Sequence, residues 1–143
     1  MFLAPKLSLD DARVVLAGSE AKAREIGIDM DVAVVDDGGH LLAFIRMDKA
    51  RVTSIDVAIN KAFTSACARR GTHEYAASAG AGGPAFGIHA SNQGRFTIFG
   101  GGLPIFIDGV IAGGVGCSSG SPDEDRAVAQ AGIDRLLEHL KLA

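Results

Sequence analysis

The sequence has no tryptophan and a single tyrosine, so a packed core has to come from aliphatic side chains and seven phenylalanines. Only two cysteines occur, Cys67 and Cys117, far apart and without a C-x-x-C partner. That excludes a disulfide framework and suits a reducing compartment, so a cytoplasmic protein is expected. No apolar run approaches the ~20 residues of a membrane span, and no basic segment followed by a long apolar one suggests a secretory signal. Positive charge is not in excess: 14 Lys and Arg stand against 17 Asp and Glu. A net charge of −3 with scattered cations argues against a nucleic-acid partner. The four histidines, His40, His73, His89 and His139, are isolated. Without an H-x-x-x-H pair or a Cys/His cluster, no metal site is expected, and without C-x-x-C-H, covalent haem attachment is excluded.

What the chain does have is glycine, 19 in 143 residues, concentrated around Gly100–Asp125, GGGLPIFIDGVIAGGVGCSSGSPDED. Asp108-Gly109 between two apolar runs predicts a two-residue hairpin, since both central positions must accept φ > 0. Gly113, Gly114 and Gly116 strip the returning strand of side chains. Bare backbone inside a strand implies that something packs very close, either chain or ligand. A hollow filled by a metabolite is one reading. If the chain's own residues fill it, with Arg46 and Lys61 turned elsewhere, only an assembly role follows.

The length fits one domain over residues 1–143. Ser8 with Asp11 predicts the start of a first helix and Gly27 its stop. Ala12, Val15, Leu16, Ser19, Ala23 and Ile26 give it a narrow stripe suited to close packing on a sheet. Met30–Asp36 and His40–Asp48 read as a hairpin turning at Asp37-Gly38-Gly39. A second helix begins at Thr53 or Ser54. Its stripe is Ile55, Ala58, Ile59, Ala62, Phe63 and Ala66, with Asp56, Asn60, Lys61 and Ser65 off it. Gly71–Gly102 is irregular, as functional or mobile segments tend to be, and Phe96–Phe99 is a candidate short strand. Ser121-Pro122-Asp123-Glu124 predicts the last helix start, with Ala127, Ala131, Leu136, Leu137 and Leu140 on its buried face. The pattern is α+β: a single antiparallel sheet of about five strands flanked by helices.

Two glycine motifs lack the context that their chemistry needs. Gly116-Cys117-Ser118-Ser119-Gly120 matches the G-x-S-x-G nucleophile elbow, but that needs a parallel sheet and a following acid and histidine. Gly114-Val115-Gly116 with Gly120 is a poor dinucleotide fingerprint, because Asp123, Glu124 and Asp125 occupy the helix start that a phosphate would need. Arg46 and Asp48 share a face at i, i+2, either as a rim pair or presenting a carboxylate-binding guanidinium at a pocket mouth. Lys61 is either a solvated lysine or a cation aimed under the glycine strand. His89, beside Gly87 and Asn92, is the histidine best placed for function.

The order of Asp31–Asp48 (DVAVVDDGGHLLAFIRMD), Asn60–Ala66 (NKAFTSA), Gly82–Ile88 (GGPAFGI) and Gly100–Asp125 resembles the GlcG/HbpS haem-binding protein family, which includes the PduO C-terminal domain. The resemblance spans nearly the whole chain. It implies a profilin-like five-stranded sheet between helices and homo-oligomers from dimers to octamers. It also implies ligands such as haem or corrinoid-related molecules, and settings in glycolate, diol or aromatic catabolism. It directs attention to Arg46, Asp48, Lys61, Gly82, Gly83 and the turn Gly114–Ser118, including Gly116 and Ser118, as one pocket closed by a neighbouring subunit. Three functions follow as expectations. The first is an oligomeric haem or small-molecule binding protein, Arg46 and Lys61 meeting ligand carboxylates and His89 meeting iron. The second is a small catabolic enzyme using Lys61 or His89 as acid/base, Arg46 as anchor and Asp48 as orienter. The third is a structural oligomer without ligand chemistry.

Overall fold

Helix ends follow the capping chemistry written in the sequence. Ser8 Oγ accepts the Asp11 N–H at 3.1 Å, and Asp11 Oδ2 accepts the Ser8 N–H at 2.8 Å. This box opens α1, Leu9–Ile26, which stops on left-handed Gly27. At the other end of the chain, Glu124 Oε1 accepts the Ser121 N–H at 2.9 Å and Ser121 Oγ accepts the Glu124 N–H at 3.2 Å. That box opens α3, Pro122–Leu142. The computed structural model describes residues 1–142. Between these helices lies α2, Ser54–Ala68, which starts after Thr53 without a side-chain cap and ends on left-handed Arg69, two residues before Gly71.

The strands form two hairpins: β1 Asp31–Asp36 with β2 Leu41–Arg46, and β3 Gly102–Ile107 with β4 Val110–Ser118. Asp108 and Gly109 take φ of 50° and 77°, the doubly left-handed turn that a two-residue hairpin requires. The hairpins join through β1 and β4 into an antiparallel sheet of order β2-β1-β4-β3. The central strands are buried; the edges are β2 and β3, and β3 carries Pro104. Alternation sorts β1 between two cores. Val32 and Val34 join Val115, Cys117 and Ile105 against α1 and α3, where Val15, Leu16, Val128 and Leu136 pack. Ala33 and Val35 meet Ala58, Ala62 and Ala66 of α2 on the opposite face. The fold is the expected α+β layout.

Three details differ from the sequence reading. Among the described residues four strands are hydrogen-bonded, and Phe96–Phe99 lies on α2: the Thr97 N–H donates to Thr64 Oγ1 at 2.9 Å. The small stripe of α1 serves a helix as well as the sheet, since the buried Ser19 hydroxyl donates to the Val128 carbonyl of α3 at 2.9 Å. The inward face of α3 is Val128, Ala129, Ile133 and Leu136, while Leu137 and Leu140 stay exposed. A run of leucines at the end of a helix does not by itself reveal its phase.

The glycine-rich β4 is filled from above by chain, not by ligand. A Cβ on Gly114 would stand 2.6 Å from the Ala62 carbonyl oxygen and 2.7 Å from Ser65 Oγ, and one on Gly116 would run into the Ala58 carbonyl and the Ala62 amide. The glycines bring the α2 backbone down onto the strand, which overturns the hollow expected there. Gly116→Ala is expected to destabilise the protein by roughly 1–3 kcal/mol or more through overpacking, measured as a lower urea midpoint at unchanged m-value.

Candidate functional site

The sheet-facing side of α2 is alanine, so the polar chemistry lies beside it. There Lys61 runs into the interior and is 1% exposed. Its Nζ donates to Asp125 Oδ2 at 2.8 Å and to the Cys117 carbonyl at 2.9 Å, with the Phe99 ring centroid 5.0 Å away. Asp125 is 2% exposed, and its other oxygen accepts the Gly120 N–H at 2.9 Å. The third carboxylate of the α3 start, Asp125, therefore turns inward as the counter-ion. Burial pushes the Asp125 carboxyl up from its usual range, while Lys61 and the Gly120 N–H hold it back. Burial also drives the Cys117 thiol far up, Asp125 adding to it. Cys117 is thus an inert core residue.

On the same side of the helix, Val57, one turn earlier, and Asn60 are roofed by the irregular segment. Together with His89, Gly94 and the run Phe96–Phe99 they line an open groove of about 450 Å³. Thr64 holds this segment down. Its Oγ1 takes the Thr97 N–H and lies 2.8 Å from the Asn60 carbonyl and 3.1 Å from the Arg95 carbonyl, to which its single hydrogen can donate in turn. Phe96 packs edge-on against Tyr75, ring centroids 4.9 Å apart. Beyond Phe96 lies a smaller cleft of about 130 Å³ with Phe63, Thr64, Cys67 and Asn92 in its wall. Burial raises the Cys67 thiol, opposed by Arg95 and assisted by Asp36 and Asp37.

The residues expected to share one pocket stand apart within a protomer. Arg46 and Asp48 line a separate polar cleft of about 220 Å³ with Glu20, Arg24 and Asp29. Lys61 is spent on Asp125 beneath the groove floor, so it is not a free cation and has no exposed proton to exchange. Gly116 lies under α2, and Ser118 is 5% exposed at the end of β4. Gly82 and Gly83 belong to the loop before the groove; Gly82 is left-handed with open space around it, and Gly83 abuts the Ala77 and Ser78 carbonyls. Of the expected site residues, His89 lines the groove. Sequence reasoning missed Val57, Phe96 and Phe99 as lining, and Asp125 as the partner of Lys61. The signal for the flank was present, since Val57, Asn60 and Thr64 recur at helical spacing off the apolar stripe. Among the described residues no group of three or more metal-ligating side chains occurs.

Asp31 opens β1 opposite Arg46 and is fully buried. Its Oδ2 accepts from Ser119 Oγ at 3.3 Å, and Oδ1 has no hydrogen-bond partner among the described residues. Burial raises its carboxyl, and Ser119, Arg46 and Arg51 offset this only in part.

Two stability measurements test these assignments. Lys61→Met, which strands Asp125 in the interior, is expected to cost about 3–5 kcal/mol, most of it recovered in the Lys61→Met/Asp125→Leu pair; chemical denaturation of the three proteins reads this out. For Asp31 the folded state holds its proton more tightly than the unfolded state. Its contribution to stability is therefore lost as pH rises from the unfolded carboxylate value of about 3.9 through the raised folded value. Asp31→Asn should accordingly be more stable than wild type at pH 7, with the advantage vanishing near pH 3, in paired thermal melts across that range.

The comparisons with known proteins agree with this architecture. The family model described as "Haem degrading protein HbpS-like" matches residues 7–134. An uncharacterised 15.0 kDa protein from the dhaT-dhaS intergenic region of Citrobacter freundii is 42% identical over 92% of this chain and 93% of its own. The crystal structure of Klebsiella pneumoniae protein ORFY superposes with a TM-score of 0.93 at 36% identity, covering 96% of this chain and 94% of that one. The crystal structure of a PduOC:heme complex superposes at 0.87 with 30% identity, covering 92% and 95%. With the family model matching most of its length and relatives above 30% identity aligned nearly end to end, this chain belongs to the HbpS-like family.

Proposed function

We propose that this protein binds haem, or a similar planar tetrapyrrole, in the groove between α2 and the segment Ile88–Phe99. The observation that carries the reading is the groove itself. At about 450 Å³ it falls within the range of small-molecule sites. Its wall of Val57, Phe96, Ile98 and Phe99 suits an apolar ring face, and His89 offers the one imidazole there. Histidine is a common axial ligand of haem iron, so the residues present fit the group. The family description and the haem complex of a neighbour 30% identical to this chain support the same ligand class.

In this arrangement the chain's own residues supply shape and exclusion. Val57, Phe96, Ile98 and Phe99 remove water from the ring face, and Asn60 offers an amide to a polar edge. The Lys61–Asp125 pair keeps the floor beneath Phe99 rigid. Bound haem supplies redox chemistry at iron, and the protein tunes it through ligand, burial and hydrogen bonding. Self-association belongs to the proposal. Phe86, Phe99 and Phe106 are exposed at 64%, 45% and 41%. A dimer or larger ring would cover them. A role beside a catabolic pathway and a cytoplasmic location are further parts of this proposal. No helix among the described residues is long and apolar enough to cross a membrane.

One observation favours a second reading, an assembly role without ligand chemistry: the glycine strand is filled by α2 and Lys61 faces Asp125. A haem titration separates the two. Apo-protein is expected to give a Soret band shifted from that of free haem, with His89→Ala changing its position and weakening binding. An unshifted band with wild type would leave the assembly reading.

A further inference from the structure

We propose that Arg95 is the acid-group anchor of the groove, so that the site selects a planar apolar body carrying a carboxylate. This rests on the proposed function and names the ligand chemistry the site reads. Arg95 sits between Gly94 and Phe96, both of which line the main groove. Its guanidinium carbon lies 3.8 Å from the Phe63 ring centroid, and Phe63 lines the smaller cleft. Phe96 belongs to the walls of both cavities. The guanidinium itself is in neither wall: it lies on Phe63 of the smaller cleft, and the Arg95 backbone adjoins Phe96, which the two cavities share.

Three features make this more than a solvated arginine. The stacked face fixes the plane of the fork and leaves its edge donors free, an arrangement suited to two-point recognition of a carboxylate. The backbone is fixed on both sides, with the Arg95 carbonyl 3.1 Å from Thr64 Oγ1 and the Thr97 N–H bonded to that same oxygen at 2.9 Å. And among the described residues no carboxylate pairs with Arg95, whereas Lys61, the other cation by the groove, is neutralised by Asp125. Arg46, expected as the anchor, belongs to the separate acidic cleft and does not line this groove. A ligand body resting on Val57, Ile98 and Phe99 can extend an acid arm over Phe96 to this guanidinium, which has no ion-pair partner among the described residues. The propionates of a porphyrin are such arms.

The test titrates wild type, Arg95→Ala and Arg95→Lys with haem and with haem dimethyl ester, whose acids are capped, following absorbance. Thermal melts check that each variant is folded. Arg95→Ala should weaken free-acid haem by about tenfold or more, the size expected of a charged hydrogen-bonded contact, and leave the ester as wild type binds it. Arg95→Lys should restore the free acid only in part, because the flexible ammonium loses the fork geometry. Equal affinity of wild type and Arg95→Ala for haem overturns the assignment. So does an equal loss for acid and ester, which would mark Arg95 as packing alone. Either result leaves the haem site standing, whereas failure of wild type to bind both compounds removes the proposed function and this anchor with it.

Discussion

A single buried ion pair ties the layers together. Lys61 comes from the helix on one face of the sheet and Asp125 from a helix on the other, and both meet the end of β4 through the Cys117 carbonyl and the Gly120 N–H. Two charges taken out of water must satisfy each other closely, and such a pair is better attested as a device for register than as a source of net stability. Here it fixes where α2 sits along β4 and where α3 begins. The glycines then set how close α2 comes: with Gly114 and Gly116 beneath it, the helix backbone rests on the strand itself. The groove beside Lys61 on α2 inherits its position from both.

This division separates structural chemistry from functional chemistry on one short helix. Ala58, Ala62 and Ala66 bury against the sheet, Lys61 locks the register, and Val57 and Asn60 face open space under the irregular segment. Thr64 belongs to both tasks. Its buried hydroxyl bridges the helix to the chain that roofs the groove, so the segment without regular structure is nonetheless held in place. A long irregular stretch in a small domain is where ligand contacts usually gather.

Much of the fold was legible because its signals are local. Ser8 with Asp11, Ser121 with Glu124, and Asp108-Gly109 each state a geometry that neighbouring residues alone enforce, and the nearly unbroken apolar run of β1 follows from being central. The strand expected at Phe96–Phe99 was not legible in this way, because whether an extended segment joins a sheet depends on who receives its N–H groups, and Thr64 is 33 positions from Thr97. The site was harder still. Lys61 looked like a cation in search of a ligand because its counter-ion, Asp125, is 64 residues away on another layer. The resemblance located the family correctly but drew Arg46, Asp48 and Lys61 into one pocket that the protomer does not form. The groove was announced only by what the apolar stripe of α2 left over.

One feature of the sheet bears on how copies of this chain can meet. Pro104 lies in β3, an outer strand, where it has no amide hydrogen to contribute along the open margin. A second molecule laid strand-to-strand there would find its hydrogen-bond ladder interrupted midway, which is how natural sheets avoid runaway edge pairing. Along this margin, contact between copies is thereby steered away from zippering backbones and toward side chains.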